Sequence, residues 1–344
     1  MLKYLKELCL MDGVSSFEDN VRDYIINELS PVVDDMRIDA LGNLIVFKKG
    51  AKRVKGGLML AAHMDEVGFI VRKIEDDGYI RFSAVGGIDA RVVLGRRVFI
   101  GKDMVPGVTG LKAIHLVSAE EVKRVPKIKE MYIDIAAPDK ASAEKKVSLG
   151  DKIVFDSDYL EFGEDKVKAK ALDDRVGCAV MMNLAKQDLP CDVTFVFTCQ
   201  EEVGCRGAFG AAFSVNPAYA LVLEGTTSAD ISNVPAEKKV TRLGAGPVIG
   251  CMDGSTIYDE GLFRMTAALA DEAGIAWQIK QYIAGGTDAS AIQRTREGVR
   301  VANISVPVRY LHSASTVACG KDIKDTLKLA QLFVRAIAEG KAGK

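Results

Sequence analysis

The sequence predicts an α/β protein whose sheet is interrupted by a β-rich insert, and three observations carry that expectation. Short apolar runs at Gly57–His63, Asp192–Cys199 and Ala218–Leu223 read as strands buried on both faces. Stretches with apolar residues at helical spacing lie between and after them. From about Val67 to Lys168 the texture changes to brief alternating runs, cut by Asp77-Gly78, Gly86-Gly87, Pro106-Gly107 and Gly150-Asp151, which suits a barrel or sandwich. A chain of 344 residues accommodates two such units at roughly 150 residues each. The expected division is an α/β part over 1–66 and 169–344, with the β-rich insert over 67–168.

Each element has its own signal. Met1–Met11 reads as an amphipathic helix, and its Lys3, Lys6 and Glu7 break up the apolar core that a signal peptide needs. Ser15 and Glu18 have capping-box spacing, and Val21, Tyr24, Ile25 and Leu29 continue a helix beyond them. Met36–Phe47 reads as a hairpin turning at Gly42-Asn43. Within the insert, Tyr79–Ala84, Arg97–Ile100 and Lys152–Phe155 alternate as strands. Val176, Val180 and Leu184 share one face of a helix from Arg175 to Gln187. Tyr258, Leu262, Met265 and Leu269 mark another helix, and Ile323, Leu327, Ala330, Val334 and Ile337 a closing one. Asn303–Tyr310 reads as a strand whose Pro307 suggests a bulge or an edge.

Composition narrows the function. Lys and Arg number 46 against 47 Asp and Glu, a net charge of −1, which gives no electrostatic reason to expect nucleic acid or an anionic membrane as partner. No stretch approaches the roughly 18 apolar residues of a membrane span. The seven cysteines are odd in number and form no C-x-x-C pair, so the expectation is a reducing, cytoplasmic setting with the thiols as small buried hydrophobes.

The chain has three histidines. His63 and Asp65 follow one predicted strand, and His312 follows another. His115 lies inside the insert and reads as a structural or interface residue. Asp173-Asp174, Glu201-Glu202 and Glu224 also fall at predicted strand ends, where functional groups of open α/β sheets gather. Taken singly, Asp174 could be a helix cap and the Glu pair a solvated face. Five coincidences at strand ends argue for a site. Imidazole and carboxylate together suit zinc or cobalt, and two histidines with three carboxylates fill two metal sites if one carboxylate bridges. A further carboxylate must then take a proton from water, and Glu201 fits that role. Cys199 and Cys205 flank the Glu pair, but no third thiol is suitably spaced. The nucleophile elbow, Walker loop and dinucleotide fingerprint are absent.

Ala61-Ala-His-Met-Asp-Glu-Val-Gly-Phe69, Lys170-Ala-Leu-Asp-Asp-Arg175, Gln200-Glu-Glu-Val-Gly-Cys-Arg-Gly-Ala208, Gly285-Gly-Thr-Asp-Ala289 and Pro307-Val-Arg-Tyr-Leu-His-Ser313 resemble, in order, the motifs of the glutamyl aminopeptidase family, which includes the tetrahedral aminopeptidases. The resemblance implies a metallopeptidase α/β domain with an inserted β-barrel-like dimerisation domain. It implies two divalent metal ions, zinc or cobalt, acting on short peptides: His63, Asp173 and Glu224 at one ion, Asp173, Glu202 and His312 at the other. It also implies Glu201 as general base, Asp65 orienting His63, a cis bond after Asp173, and homo-oligomers from dimer to tetrahedral dodecamer. Many relatives carry Asp where this chain has Glu224. The rival readings are another amide hydrolase on the same site, such as a deacylase, and a non-catalytic assembly or regulatory protein on the same fold; retention of Glu201 and all the ligands favours the peptidase.

Overall fold

Six consecutive buried residues, Leu58–His63, leave this strand no solvent face, so it can only lie inside a sheet covered on both sides. The computed structural model, which describes residues 1–342, places it there. In chain order the strands are β1 (Asp35–Ile38), β2 (Leu44–Lys48), β3 (Leu58–His63), β4 (Gly68–Ile74), β5 (Ile80–Val85), β6 (Arg97–Ile100), β7 (Val105–Gly110) and β8 (Tyr132–Asp134). They continue with β9 (Lys152–Phe155), β10 (Leu160–Phe162), β11 (Lys166–Ala169), β12 (Val193–Thr198), β13 (Tyr219–Ser228), β14 (Val248–Ile249), β15 (Arg300–Arg309) and β16 (Thr316–Cys319). The large sheet runs β1-β2-β12-β3-β13-β15-β16-β11-β10, with β14 paired to β15. Its centre, β12-β3-β13-β15, is parallel. The helices Leu172–Ala185 and Gly320–Ala338 bury apolar faces against it, and Leu2–Leu10 packs on Leu172–Ala185.

Strands β4-β5-β8-β7-β6-β9 close a separate barrel. Its core centres on Phe69, edge-on to Phe82 at 5.1 Å and to Phe155 at 5.2 Å. Barrel strands run from Gly68 to Phe155, whereas β10 and β11 join the large sheet. Among the described residues no helix is long and apolar enough to cross a membrane.

The hairpin and closing helix form as expected. The barrel of the β-rich insert ends at Phe155 because β10 and β11, expected within an insert reaching Lys168, pair into the large sheet. Four local expectations also need correction. Ser15 does not cap a helix: its hydroxyl donates to Asp65 Oδ2 at 2.6 Å, and the helix begins at Asp19 with no side-chain cap. Glu224 does not end its strand, because β13 stays paired with β15 as far as Ser228. Pro307 marks neither a bulge nor an edge. It pairs in register with Thr226, and on the other flank β14 meets Ile304–Ser305 while β16 meets Val308–Arg309, so Pro307 falls between two partners. Cys205 and Cys251 are half-buried rather than buried.

Phe69→Ala removes the ring at the centre of the barrel core. The expected outcome is a loss of ~3–5 kcal/mol in denaturant-induced unfolding, the usual cost of emptying a fully buried aromatic site. A loss below ~1 kcal/mol would show that the barrel does not depend on this packing.

Candidate metal centre

Parallel register brings the site together. Thr198 pairs with His63, and Val222 with Ala61, so Glu224 and His63, each two residues further on, come level at the same end of the sheet. Gly225 permits the close approach of Asp173; a Cβ there would sit 2.9 Å from Asp173 Cα. The Asp173–Asp174 peptide bond is cis.

Two histidine–carboxylate groups result, and they share Asp173. His63 Nε2 lies 3.4 Å from Asp173 Oδ1 and 3.2 Å from Glu224 Oε1. His312 Nε2 lies 3.8 Å from Asp173 Oδ2 and 3.2 Å from Glu202 Oε2. The glutamate at position 224 therefore reaches the centre. Both imidazoles are oriented alike. His63 Nδ1 faces the Asp65 carbonyl at 3.0 Å, and His312 Nδ1 faces the Gly87 carbonyl at 2.6 Å. A carbonyl only accepts, so each Nδ1 carries a proton and each Nε2 is the nitrogen turned toward the centre.

Buried polar atoms without partners point the same way. Asp173 Oδ1 and Glu224 Oε1 are buried and lack any hydrogen bond, although each lies within 3.5 Å of His63 Nε2. Unpaired buried carboxylate oxygens are costly, and a cation between them removes the cost. The residues thus fit divalent metal. Asp174 differs: its Oδ2 accepts from His63 N–H at 3.1 Å and its Oδ1 from Gly177 N–H at 2.9 Å. It acts as the helix cap, which leaves Asp173 as the carboxylate facing both histidines.

Asp65 is tied to three partners. Its oxygens accept from Glu201 N–H at 3.0 Å, Glu202 N–H at 3.1 Å and Ser15, so one carboxylate locks the end of β3 to the Glu201–Glu202 loop. Burial acts to lower the His63 pKa, but Glu224, Asp173 and Asp65 outweigh it and hold the imidazole well above its ordinary value. Burial likewise opposes a rise at His312, yet Glu202 and Asp173 lift it to about 9. Burial pushes the Glu201 carboxyl up to about 8, with Asp288, Glu202 and Asp173 adding to the effect against His63. Burial also raises Glu202 and, more strongly, Glu224.

His63, Asp173, Glu201, Glu202, Glu224 and His312 line a cleft of about 950 Å³, whose walls also carry Arg206, Lys280 and Arg294. His115 is exposed on a short helical turn, Ile114–Leu116, and takes no part. Strand-end spacing points to neither the Gly87 carbonyl nor Ser15. The carbonyl is a backbone group and leaves no residue-type signal, and Ser15 carries the spacing of a helix cap.

The chain matches the M42 glutamyl aminopeptidase family over residues 42–329. It is 31% identical to the lysyl aminopeptidase of Pyrococcus furiosus, across 97% of this chain and 96% of that relative. It is 32% identical to the glutamyl aminopeptidase of Lactococcus lactis subsp. cremoris, across 97% and 94% respectively. A solved structure of the Pyrococcus horikoshii TET1 peptidase, which can assemble into a tetrahedron or a large octahedral shell, matches with a TM-score of 0.85 at 34% identity, over 96% of this chain and 98% of that one. The chain belongs to the M42 glutamyl aminopeptidase family.

Proposed function

We propose that this metal-dependent aminopeptidase releases N-terminal residues from short peptides through two metal sites that share Asp173, with Glu201 as the general base. The observation that supports this most is the pair of histidine–carboxylate groups meeting at one bridging carboxylate. His63, Asp173 and Glu224 would hold one ion, and Asp173, Glu202 and His312 the other. Imidazole and carboxylate donors favour zinc or cobalt. When bound, such ions would supply Lewis acidity to the scissile carbonyl and lower the pKa of water toward ~7.

Glu201 would accept a proton from the attacking water and return it to the leaving amine. Asp65 holds Glu201 and Glu202 by their backbone N–H groups, so the base and its neighbouring ligand keep a fixed separation. Asp65 also fixes the His63 tautomer. The acidic floor of the cleft favours the cationic α-amino group of a free peptide N-terminus. The cytoplasm is the setting in which we place the enzyme, and we propose that the barrel pairs subunits into a dimer and that dimers build a tetrahedral dodecamer.

Glu201→Gln is expected to keep full metal content and lose at least ~10²-fold in kcat, the low end of a general-base contribution. Near-normal turnover with both metals in place would remove Glu201 from that role. His63→Ala and His312→Ala should each lower metal content and most of the activity, whereas His115→Ala should change neither; elemental analysis that finds His115→Ala metal-poor overturns the assignment.

The metal-free protein should lose stability as pH rises from about 4.5 to 9. Glu201, Glu202, Glu224, His63 and His312 all have pKa values raised by folding. Over that interval the folded state binds more protons than the unfolded one, so unfolding free energy falls with pH. Tm measured without metal should be lower at pH 8 than at pH 5.5. Zinc at a thousandfold excess over its Kd should add ~4 kcal/mol of stability. A metal-free Tm that rises over this range, or fails to respond to zinc, contradicts the reading.

Twelve chains of 37.1 kDa come to about 445 kDa, a mass that light scattering separates readily from a dimer. A fully active monomer at micromolar concentration would eliminate the assembly proposal, and a fully active dimer its dodecameric part.

A further inference from the structure

A second set of donors adjoins Glu201, and no residue in it is assigned above as a metal ligand. Cys205 Sγ lies 3.4 Å from Glu201 Oε1. One donor atom each from Glu201, Cys205 and Asp288 lie within 4.8 Å of one another. Asp288 is 1% exposed. Its Oδ2 accepts the Thr198 hydroxyl at 2.5 Å, but its Oδ1 is buried and has no hydrogen-bond partner. An orphaned carboxylate oxygen beside a thiol and a second carboxylate is a donor set without its acceptor. Glu201 and Cys205 also line the open cleft, so an ion from solvent can reach them.

The three side chains are held by different elements. Cys205 sits in the left-handed conformation, φ +53°, immediately before the helix Arg206–Val215. Asp288 precedes the short helix Ala289–Gln293 and is anchored to the end of β12 through Thr198. Glu201 is fixed through its backbone by Asp65. The cluster is thus built from the protein framework rather than from mobile surface chains.

We propose that Glu201, Cys205 and Asp288 form a third divalent-cation site, selective for thiophilic ions such as zinc and cadmium, whose occupation inhibits the enzyme. The inhibitory part rests on Glu201 being the general base; the binding part does not. One sulfur and two carboxylate oxygens fill three corners of a tetrahedral zinc site, with the fourth open to the cleft. Sulfur favours zinc and cadmium over manganese and magnesium. Binding replaces the Cys205 S–H proton, which leaves to solvent, and no other reactant is needed. Glu201 then spends its lone pair on the ion and no longer takes a proton from water. Zinc beyond the amount that fills the Asp173-sharing pair therefore lowers turnover, whereas excess manganese does not.

The test begins with metal-free protein titrated with cadmium. Thiolate-to-cadmium ultraviolet absorption is followed together with ions bound per chain, measured by dialysis and elemental analysis. Wild type should bind three ions, with the absorption growing alongside the third. Cys205→Ser, a near-isosteric change, should bind two without the band, and Asp288→Asn should also bind two. In parallel, aminoacyl-amide hydrolysis is measured for each protein at two equivalents of zinc and at saturating zinc. Wild type should fall by ~10²-fold or more, the scale of losing a general base. Cys205→Ser should hold its own two-equivalent rate, and excess manganese should inhibit neither protein. Two ions per chain and no thiolate band in wild type overturn the site. Three ions with the band but undiminished turnover overturn the inhibitory role. Failure of the underlying dinuclear reading is separately visible, as loss of the first two equivalents.

Discussion

Asp65, Glu66, Asp173, Asp174, Glu201, Glu202 and Glu224 all sit at or near one end of the sheet, largely withdrawn from water. Such a concentration of buried carboxylate is unstable unless each charge is matched. The protein matches some of them itself. Asp174 and Asp65 accept backbone N–H groups. Glu66 receives Lys170 Nζ at 2.5 Å and Gly13 N–H at 3.1 Å, with Arg175 Nη2 at 3.6 Å. Asp173 Oδ1 and Glu224 Oε1 receive nothing. Among these seven the division is informative: acids that position the framework are satisfied internally, and the two oxygens left over face His63.

Sheet register explains why these residues meet. Parallel pairing of β12, β3 and β13 sets Thr198, His63 and Glu224 at one level although they are far apart in sequence. On its other side β13 continues with β15 to Ser228, so the level of the site is the end of β3 but the middle of β13. A strand that ends against one neighbour and continues against the other has no single boundary that an apolar run could reveal. That is the physical reason the apolar run places Glu224 at a strand end although it lies inside one.

Much of the site is legible in the sequence because its chemistry sits on side chains in short segments: His63 with Asp65, Asp173 with Asp174, Glu201 with Glu202. The parts that are not legible share a cause. Gly87 acts through a carbonyl, which every residue possesses. Ser15 has two competing partners in the sequence, a helix N-terminus and a distant acid, and the buried charged acceptor at Asp65 gives the stronger hydrogen bond. Pro307 breaks no ladder because two short strands divide that flank of β15 on either side of it. Each depends on what lies across space from the residue, and local spacing does not carry that information.

The Gly87 carbonyl has a further consequence. Gly87 follows β5, a barrel strand, while His312 follows β15 of the large sheet, and their hydrogen bond at 2.6 Å joins the two parts at the site itself. The β-rich insert supplies none of the histidine and carboxylate side chains of the candidate centre, yet it sets which nitrogen of His312 faces Asp173 and Glu202. A displacement of the barrel relative to the sheet must lengthen this hydrogen bond, release the imidazole or carry it along. Whatever holds the barrel in place therefore also holds one of the two imidazoles in place.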